Sequence, residues 1–89
     1  MQYLIIEHYK KGKTIEIYQR FDQKGRMLPK GVTYINSWTD EKVETCYQIM
    51  ESESLEKLQE WVSNWNDLVD FEIIPVLTSA EAKAKIFST

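Results

Sequence analysis

The sequence predicts one small α+β domain whose strands and helices follow the order βαββαβ, with a short helix at the C-terminal end. The chain has 89 residues, which is the size of a single domain, so we treat residues 1–89 as one unit. Four segments with strand-like apolar patterns alternate with segments whose apolar residues have helical spacing. Since 43% of the residues are hydrophobic and 28% are charged, the composition is that of an ordinary folded domain.

Residues 1–9 predict the first strand, because they are largely apolar with β-branched residues at the centre. Both alternating faces carry apolar residues, which is typical of a central strand that is covered on both sides. One face carries Leu4, Ile6 and His8, and the other carries Tyr3, Ile5, Glu7 and Tyr9.

Residues 14–27 predict the first helix. Ile17 and Phe21 lie one turn apart, so they share the stripe that faces a core. Gly25 weakens the end of this helix, and Pro29 cannot continue it because proline lacks the backbone N–H.

Residues 32–39 and 44–51 predict two strands joined by a polar hairpin tip at residues 40–42. Regular alternation in the first strand places Val32, Tyr34, Asn36 and Trp38 on one face and Thr33, Ile35 and Ser37 on the other. In the second strand, Cys46, Gln48 and Met50 alternate with Tyr47, Ile49 and Glu51.

The second helix is predicted to begin after Ser54, which caps it, and to run to about residue 66 on a broad apolar stripe. Residues 70–77 predict the last strand, in which Pro75 indicates an edge or a bulge. Thr78 and Glu81 match a capping box, which predicts a short closing helix over residues 79–87.

This element order is the ferredoxin-like arrangement, in which the helices cover one face of an antiparallel sheet. The other face is open, yet in this chain it carries aromatic and apolar residues from several strands. Because a monomer rarely exposes such a patch, we expect a homodimer that pairs the open sheet faces across a two-fold axis.

Charge and composition exclude several function classes. The net charge of −3 argues against a nucleic-acid partner. One cysteine, Cys46, and one histidine cannot build a disulfide or a Cys/His metal site within one chain. The apolar N-terminal run is too short for a signal peptide or a membrane span. We therefore expect a cytoplasmic protein without metal, cofactor or membrane partner.

Several segments carry a family resemblance in one collinear order along nearly the whole chain. They are GRMLP at 25–29, SW at 37–38, CYQIME at 46–51, the tryptophans at 61 and 65, DLV at 67–69, FEIIPV at 71–76 and LTSAEA at 77–82. These segments resemble the family called domain of unknown function 3303, which implies a small bacterial protein of the dimeric α/β-barrel type. The resemblance implies no single activity, since that wider group includes cofactor-free monooxygenases, isomerases, haem enzymes and ligand binders. His8 departs from the arginine expected there in many members.

His8 and Glu72 are the catalytic candidates. Histidine changes charge near neutral pH when unperturbed, so His8 is a candidate general base whose ring Glu72 or Glu7 would orient. Burial of either carboxyl would favour its protonated form and make it a candidate acid or base. The alternative is that these glutamates are exposed or paired with Arg20 or Arg26. Arg26 itself is a candidate for binding a carboxylate or for tying down the turn after the first helix.

The ligand-binding candidates are Tyr34, Asn36 and Trp38, predicted to share one strand face, together with Gln48. Apolar walls with a few polar groups suit a small-molecule pocket, and the same residue types suit a dimer interface. The function that we expect is binding of a small apolar or aromatic molecule, or protein interaction, without catalysis. The alternative is a cofactor-independent monooxygenase- or isomerase-like enzyme, which requires His8, Glu72 and Gln48 to converge on one cavity.

Overall fold

The four strands form one antiparallel sheet in the order β2-β3-β1-β4 in a computed structural model that describes residues 1–88. The elements are β1 Gln2–Tyr9, α1 Thr14–Lys24, β2 Val32–Thr39, β3 Thr45–Ser52, α2 Leu55–Val62, β4 Val69–Val76 and α3 Ser79–Phe87. This order and topology confirm the predicted ferredoxin-like arrangement with a short C-terminal helix. Pro75 lies on β4, which is an edge strand, as the sequence predicts.

Both main helices are shorter than predicted. Helix α1 ends at Lys24 because Gly25 adopts a φ of 64°, and its N–H donates to the carbonyl of Phe21 at 2.7 Å. Helix α2 ends at Val62, four residues before the expected end, and the chain continues in turns up to β4. The Ser63 hydroxyl donates to the carbonyl of Glu60 at 2.6 Å, and this local bond competes with continuation of the helix.

The predicted helix caps are confirmed. The Ser54 side chain accepts the N–H of Lys57 at 3.3 Å at the start of α2. At the start of α3, the Glu81 N–H donates to the Thr78 hydroxyl at 3.1 Å, and the Thr78 N–H donates to the Glu81 carboxylate at 2.9 Å. Each cap satisfies N–H groups that have no partner inside the helix.

The core lies between α1, α2 and one face of the sheet, here called the helix face. Ile5 and Met50 from the central strands and Leu58 from α2 are fully buried. The whole buried cluster is Tyr3, Ile5, Ile17, Val32, Met50, Leu58, Trp61, Trp65, Leu68 and Val69. None of the helices in the described part of the chain is long and apolar enough to cross a membrane.

A β-bulge in β2 overturns the predicted alternation of that strand. Tyr34 pairs with Met50, but Asn36 pairs with the next residue, Ile49, so Ile35 is an extra residue. Tyr34 therefore lies on the helix face, whereas Asn36 and Trp38 lie on the opposite face. The prediction that Tyr34, Asn36 and Trp38 share one face is wrong, because one inserted residue reverses the parity of everything after it.

The second sheet face, here called the open face, is less covered than the sequence predicts. Leu4 and Ile6 of β1 are half-buried on this face and His8 is exposed, so the expectation that β1 is covered on both sides is wrong for the single chain. Trp38 is 59% exposed on the same face. This pattern arises because α1 and α2 pack on the helix face.

Candidate functional site

A cavity of about 200 Å³ lies between the helix face of the sheet and the two main helices. Aromatic side chains from β1, α1 and α2 form much of its wall, and polar side chains come from β1, β2, β3 and the segment after α1. The lining residues are Glu7, Tyr9, Ile17, Tyr18, Phe21, Arg26, Ser37, Thr39, Cys46, Gln48, Trp61 and Trp65. An apolar cavity with a few convergent polar groups is the usual form of a small-molecule site.

Glu7 is the acidic residue of this cavity. Its parity on β1 places it with Tyr3 and Ile5 on the helix face, where it is only 8% exposed. The side-chain amide of Gln48, on the neighbouring strand β3, donates to the Glu7 carboxylate. Burial raises the pKa of Glu7 to about 7, although the charge of Arg26 and the bond from Gln48 act in the opposite direction. Glu7 therefore changes charge near neutral pH.

Gln48, which lines the cavity, carries an unsatisfied acceptor. Its residue is 5% exposed, and its Oε1 atom is buried without a hydrogen-bond partner among the described residues. Buried polar atoms in folded proteins are almost always paired, and an unpaired one costs about 1–3 kcal/mol. A ligand N–H or O–H group in the cavity would satisfy this atom.

Arg26 brings a positive charge to the same cavity. Its guanidinium lies 3.5 Å from the centre of the Tyr34 ring and 5.0 Å from that of Phe21, so it makes cation–π contacts with both rings. Its backbone carbonyl accepts the indole N–H groups of Trp61 at 2.9 Å and of Trp65 at 3.0 Å. None of the ion pairs within residues 1–88 involves Arg26. The backbone carbonyl of Arg26 therefore holds the turn after α1 in place. Arg26 also lines the cavity.

Glu7 is not ion-paired with Arg20, which was one alternative from the sequence. Arg20 instead forms a two-pronged pair with Asp67, with N–O distances of 2.8 and 2.7 Å. This pair holds the pKa of Asp67 at about 2. It also ties α1 to the segment before β4, which positions one wall of the cavity.

Two further polar groups near Glu7, the Cys46 thiol and the Tyr9 hydroxyl, are uncharged at neutral pH. Burial and the charge of Glu7 raise the pKa of the Cys46 thiol. Burial and a side-chain bond with Tyr18 raise the pKa of the Tyr9 hydroxyl. The Tyr9 and Tyr18 rings meet edge to face, with their centres 6.3 Å apart. Glu7 is therefore the group in this set that titrates near pH 7.

His8 and Glu72 meet each other but not the cavity. The His8 Nε2 and Glu72 Oε2 atoms are 2.5 Å apart, which agrees with the predicted orientation of the ring by Glu72. Both side chains lie on the open face and are about half exposed, at 49% and 56%. Gln48 lies on the helix face, so the convergence of His8, Glu72 and Gln48 that the enzyme hypothesis requires does not occur.

The predicted ligand-binding residues are divided between the two faces. Gln48 lines the cavity. Tyr34 lies beside it, stacked on Arg26, and its hydroxyl contacts the Ser37 hydroxyl at 2.6 Å. Asn36 and Trp38 lie on the open face, away from the cavity.

Sequence reasoning did not assign Tyr9, Tyr18 or Phe21 to a site. Tyr9 shares its strand parity with Glu7, and Tyr18 and Phe21 lie one turn apart on α1, so these signals were present in the sequence. Ser37 and Thr39 could not be assigned to the cavity from the sequence, because only the bulge places them on that face. No group of three metal-ligating His, Cys, Asp or Glu side chains occurs within residues 1–88.

Comparison with known proteins gives a family and a fold. A family model described as domain of unknown function (DUF3303) matches residues 1–88. No curated protein matches the chain. The crystal structure of protein Atu4242 from Agrobacterium tumefaciens is 14% identical, with a TM-score of 0.51 over 89% of this chain and 96% of that one. A structure from Chloroflexus aurantiacus J-10-fl, of a candidate antibiotic biosynthesis monooxygenase, is 15% identical, with a TM-score of 0.44 over 86% and 95% of the two chains. The Atu4242 likeness shows a shared fold.

Proposed function

The chain belongs to the DUF3303 family, and from that premise we propose that it binds a small, largely aromatic molecule in the cavity around Glu7 and Gln48. The observation that carries this proposal is the buried Oε1 atom of Gln48, which has no partner among the described residues and belongs to a residue that lines an aromatic cavity. The ligand class that fits is a planar molecule with one N–H or O–H donor. Such a donor would complete the hydrogen bonding of the Gln48 amide.

Two probes of nearly the same shape test this recognition. Indole has an aromatic N–H donor, whereas benzothiophene presents sulfur at that position and cannot donate. We expect indole to bind about fivefold more tightly, because its N–H meets the Gln48 oxygen and a hydrogen bond is worth about 1 kcal/mol. Isothermal titration calorimetry on the full chain measures both affinities. Equal affinities, or no binding of indole, would contradict the proposal.

A cavity-blocking variant locates the binding. Thr39 lies at the exposed rim of the cavity, so Thr39→Phe should fill the entrance with little effect on folding. Thr33→Phe is the matched control, because Thr33 is exposed on the same strand but pairs with Glu51 on the open face. We expect indole binding to be lost in Thr39→Phe and kept in Thr33→Phe. Loss in both variants, or in neither, would place the ligand elsewhere.

A second candidate function is an enzyme of the cofactor-independent monooxygenase or isomerase type. The observation that favours it is Glu7, a buried carboxyl in the cavity with a pKa of about 7. His8 and Glu72 give it less support than the sequence suggests, because they lie on the open face.

We also propose that the open face pairs with a second copy of the chain. Trp38 and Tyr47 are exposed there over a stripe of half-buried aliphatic residues from β1 and β3. Helix α3 is a second reason to propose this partner, because none of its residues is buried and Phe87 is 78% exposed. A helix of 9 residues is marginal in water unless it packs on something. A second copy would offer α3 a surface.

The cytoplasm is the location that we propose. Support comes from the cysteine content: the one cysteine, Cys46, is buried as a free thiol, and free thiols are kept reduced in that compartment.

A further inference from the structure

The cavity joins a carboxyl and a guanidinium that are not engaged with each other. Glu7 is buried on the floor formed by the sheet, and its polar contact is the Gln48 amide. Arg26 reaches the same space from the segment after α1 and forms no ion pair within residues 1–88. Its charge still acts on Glu7, because it opposes the effect of burial on that group. A ligand between them would meet a proton acceptor and a positive charge.

We propose that Glu7 is a general base that removes an acidic C–H proton from an aromatic carbonyl compound bound in this cavity, with Arg26 facing the oxygen that becomes negative. This inference rests on the proposed binding function and adds a reaction class to it, the interconversion of keto and enol forms. Stacking on Tyr34 occupies a face of the Arg26 guanidinium and leaves N–H groups at its edge for a ligand oxygen.

The reaction moves protons only. The C–H bond next to the carbonyl group breaks, its proton forms an O–H bond with the Glu7 carboxylate, and the electron pair moves onto the carbonyl oxygen near Arg26. Glu7 then returns a proton to that oxygen, which gives the enol, or to the carbon, which gives back the ketone. Atoms and electrons balance without a further reactant, and in D₂O the carbon acquires deuterium.

The groups around Glu7 determine how this step depends on pH. Those that face it are Gln48 and Cys46 on β3, Tyr9 on β1, Tyr18 on α1 and Arg26 after α1. Arg26 is the charged member of this set at neutral pH. Since Glu7 titrates at about pH 7, its basic form increases through that value, and the rate should rise with pH and level off above it.

Benzoylacetone is the probe for this inference, because it joins a phenyl ring to an acidic C–H between two carbonyl groups. Calorimetry measures its binding, and NMR in D₂O measures deuterium incorporation at that carbon, on wild type and on Glu7→Gln. Glu51→Gln is the matched control, since Glu51 is on the open face and pairs with the N-terminal amine at 2.6 Å.

We expect wild type to bind benzoylacetone and to speed the exchange, with a rate that rises through about pH 7. Glu7→Gln should still bind it and should lose about 100-fold or more of the acceleration, which is the usual contribution of a general base. Glu51→Gln should match wild type in both. Binding without faster exchange, a rate that ignores pH, or full exchange in Glu7→Gln would overturn the base and leave the binding function intact. Absence of benzoylacetone binding would also overturn the base, whereas the indole titration decides the binding function separately.

Discussion

At the scale of single residues, the burial of Glu7 lowers the free energy of unfolding at neutral pH. Its carboxyl is buried, and its pKa is about 7 rather than the ordinary 4.5. The folded state therefore holds a proton that the unfolded state releases between these two pH values. Stability falls as pH rises from about 4.5 to about 7, and the penalty is constant above that range. A group kept at such a cost is characteristic of a functional site.

We predict that Glu7→Gln removes this pH dependence. Relative to wild type, the variant should gain up to about 3 kcal/mol between pH 4.5 and pH 7, because each pKa unit corresponds to about 1.4 kcal/mol. Urea unfolding at fixed protein concentration, at pH 4.5 and pH 8, measures the difference in the free energy of unfolding. A variant whose stability follows that of wild type at both pH values would show that Glu7 is ionised at low pH in the folded protein.

At the scale of elements, the β2 bulge decides which residues reach the cavity. Ile35 is the inserted residue and is 49% exposed. Because the bulge accommodates this extra residue, Ser37 and Thr39 pair with Gln48 and Cys46 on the helix face, and Trp38 pairs with Tyr47 on the open face. Bulges of this kind re-aim side chains next to functional sites.

We predict that deletion of Ile35 is tolerated. Without this residue, Tyr34 and Asn36 become neighbours, and ordinary alternation keeps every other side chain of β2 on its present face. The loss of stability should be no more than about 1 kcal/mol, as for most exposed changes. Thermal unfolding followed by circular dichroism measures it. Deletion of Ile49 from β3 is the contrasting variant, since it would reverse the parity of a strand without a bulge and should prevent folding. An unfolded Ile35 deletion would show that the bulge itself is required.

At the scale of the whole molecule, the open face and α3 are the parts that the single chain leaves uncovered. The sheet buries its helix face against α1 and α2, whereas Trp38 and Ile74 on the other face are 59% and 41% exposed. The extents of the chain, 47 × 30 × 17 Å, describe a flat and elongated body. Such a shape has a large surface for its volume, which favours burial of one face against a second copy.

We predict that Trp38→Ala weakens the homodimer at least about tenfold, since buried tryptophans are typical anchors of interfaces. Sedimentation velocity and native mass spectrometry report the number of subunits over a range of concentrations. The control is Ile15→Ala on α1, because Ile15 is also a large hydrophobic residue and is 73% exposed, but it does not lie on the sheet. A wild-type protein that is monomeric at micromolar concentration would refute the dimer.

The sequence by itself determined the order of the elements, the caps at Ser54 and Thr78, and the parity that places Glu7 with Tyr3 and Ile5. These features depend on contacts between residues near each other in the chain, so periodicity and capping chemistry predict them. Gln48 was also predicted as a site residue, from an alternation that β3 obeys without a bulge.

Only the tertiary structure decided which candidates meet. The bulge at Ile35 separated Tyr34 from Asn36 and Trp38, and a one-residue insertion leaves no trace in a pattern that looks regular. The sequence offered Arg20 as a partner for Glu7, but Arg20 binds Asp67, which lies far along the chain. The cavity is a product of long-range packing, because its charge, its acceptor and its aromatic walls come from elements that only the folded sheet and helices bring together.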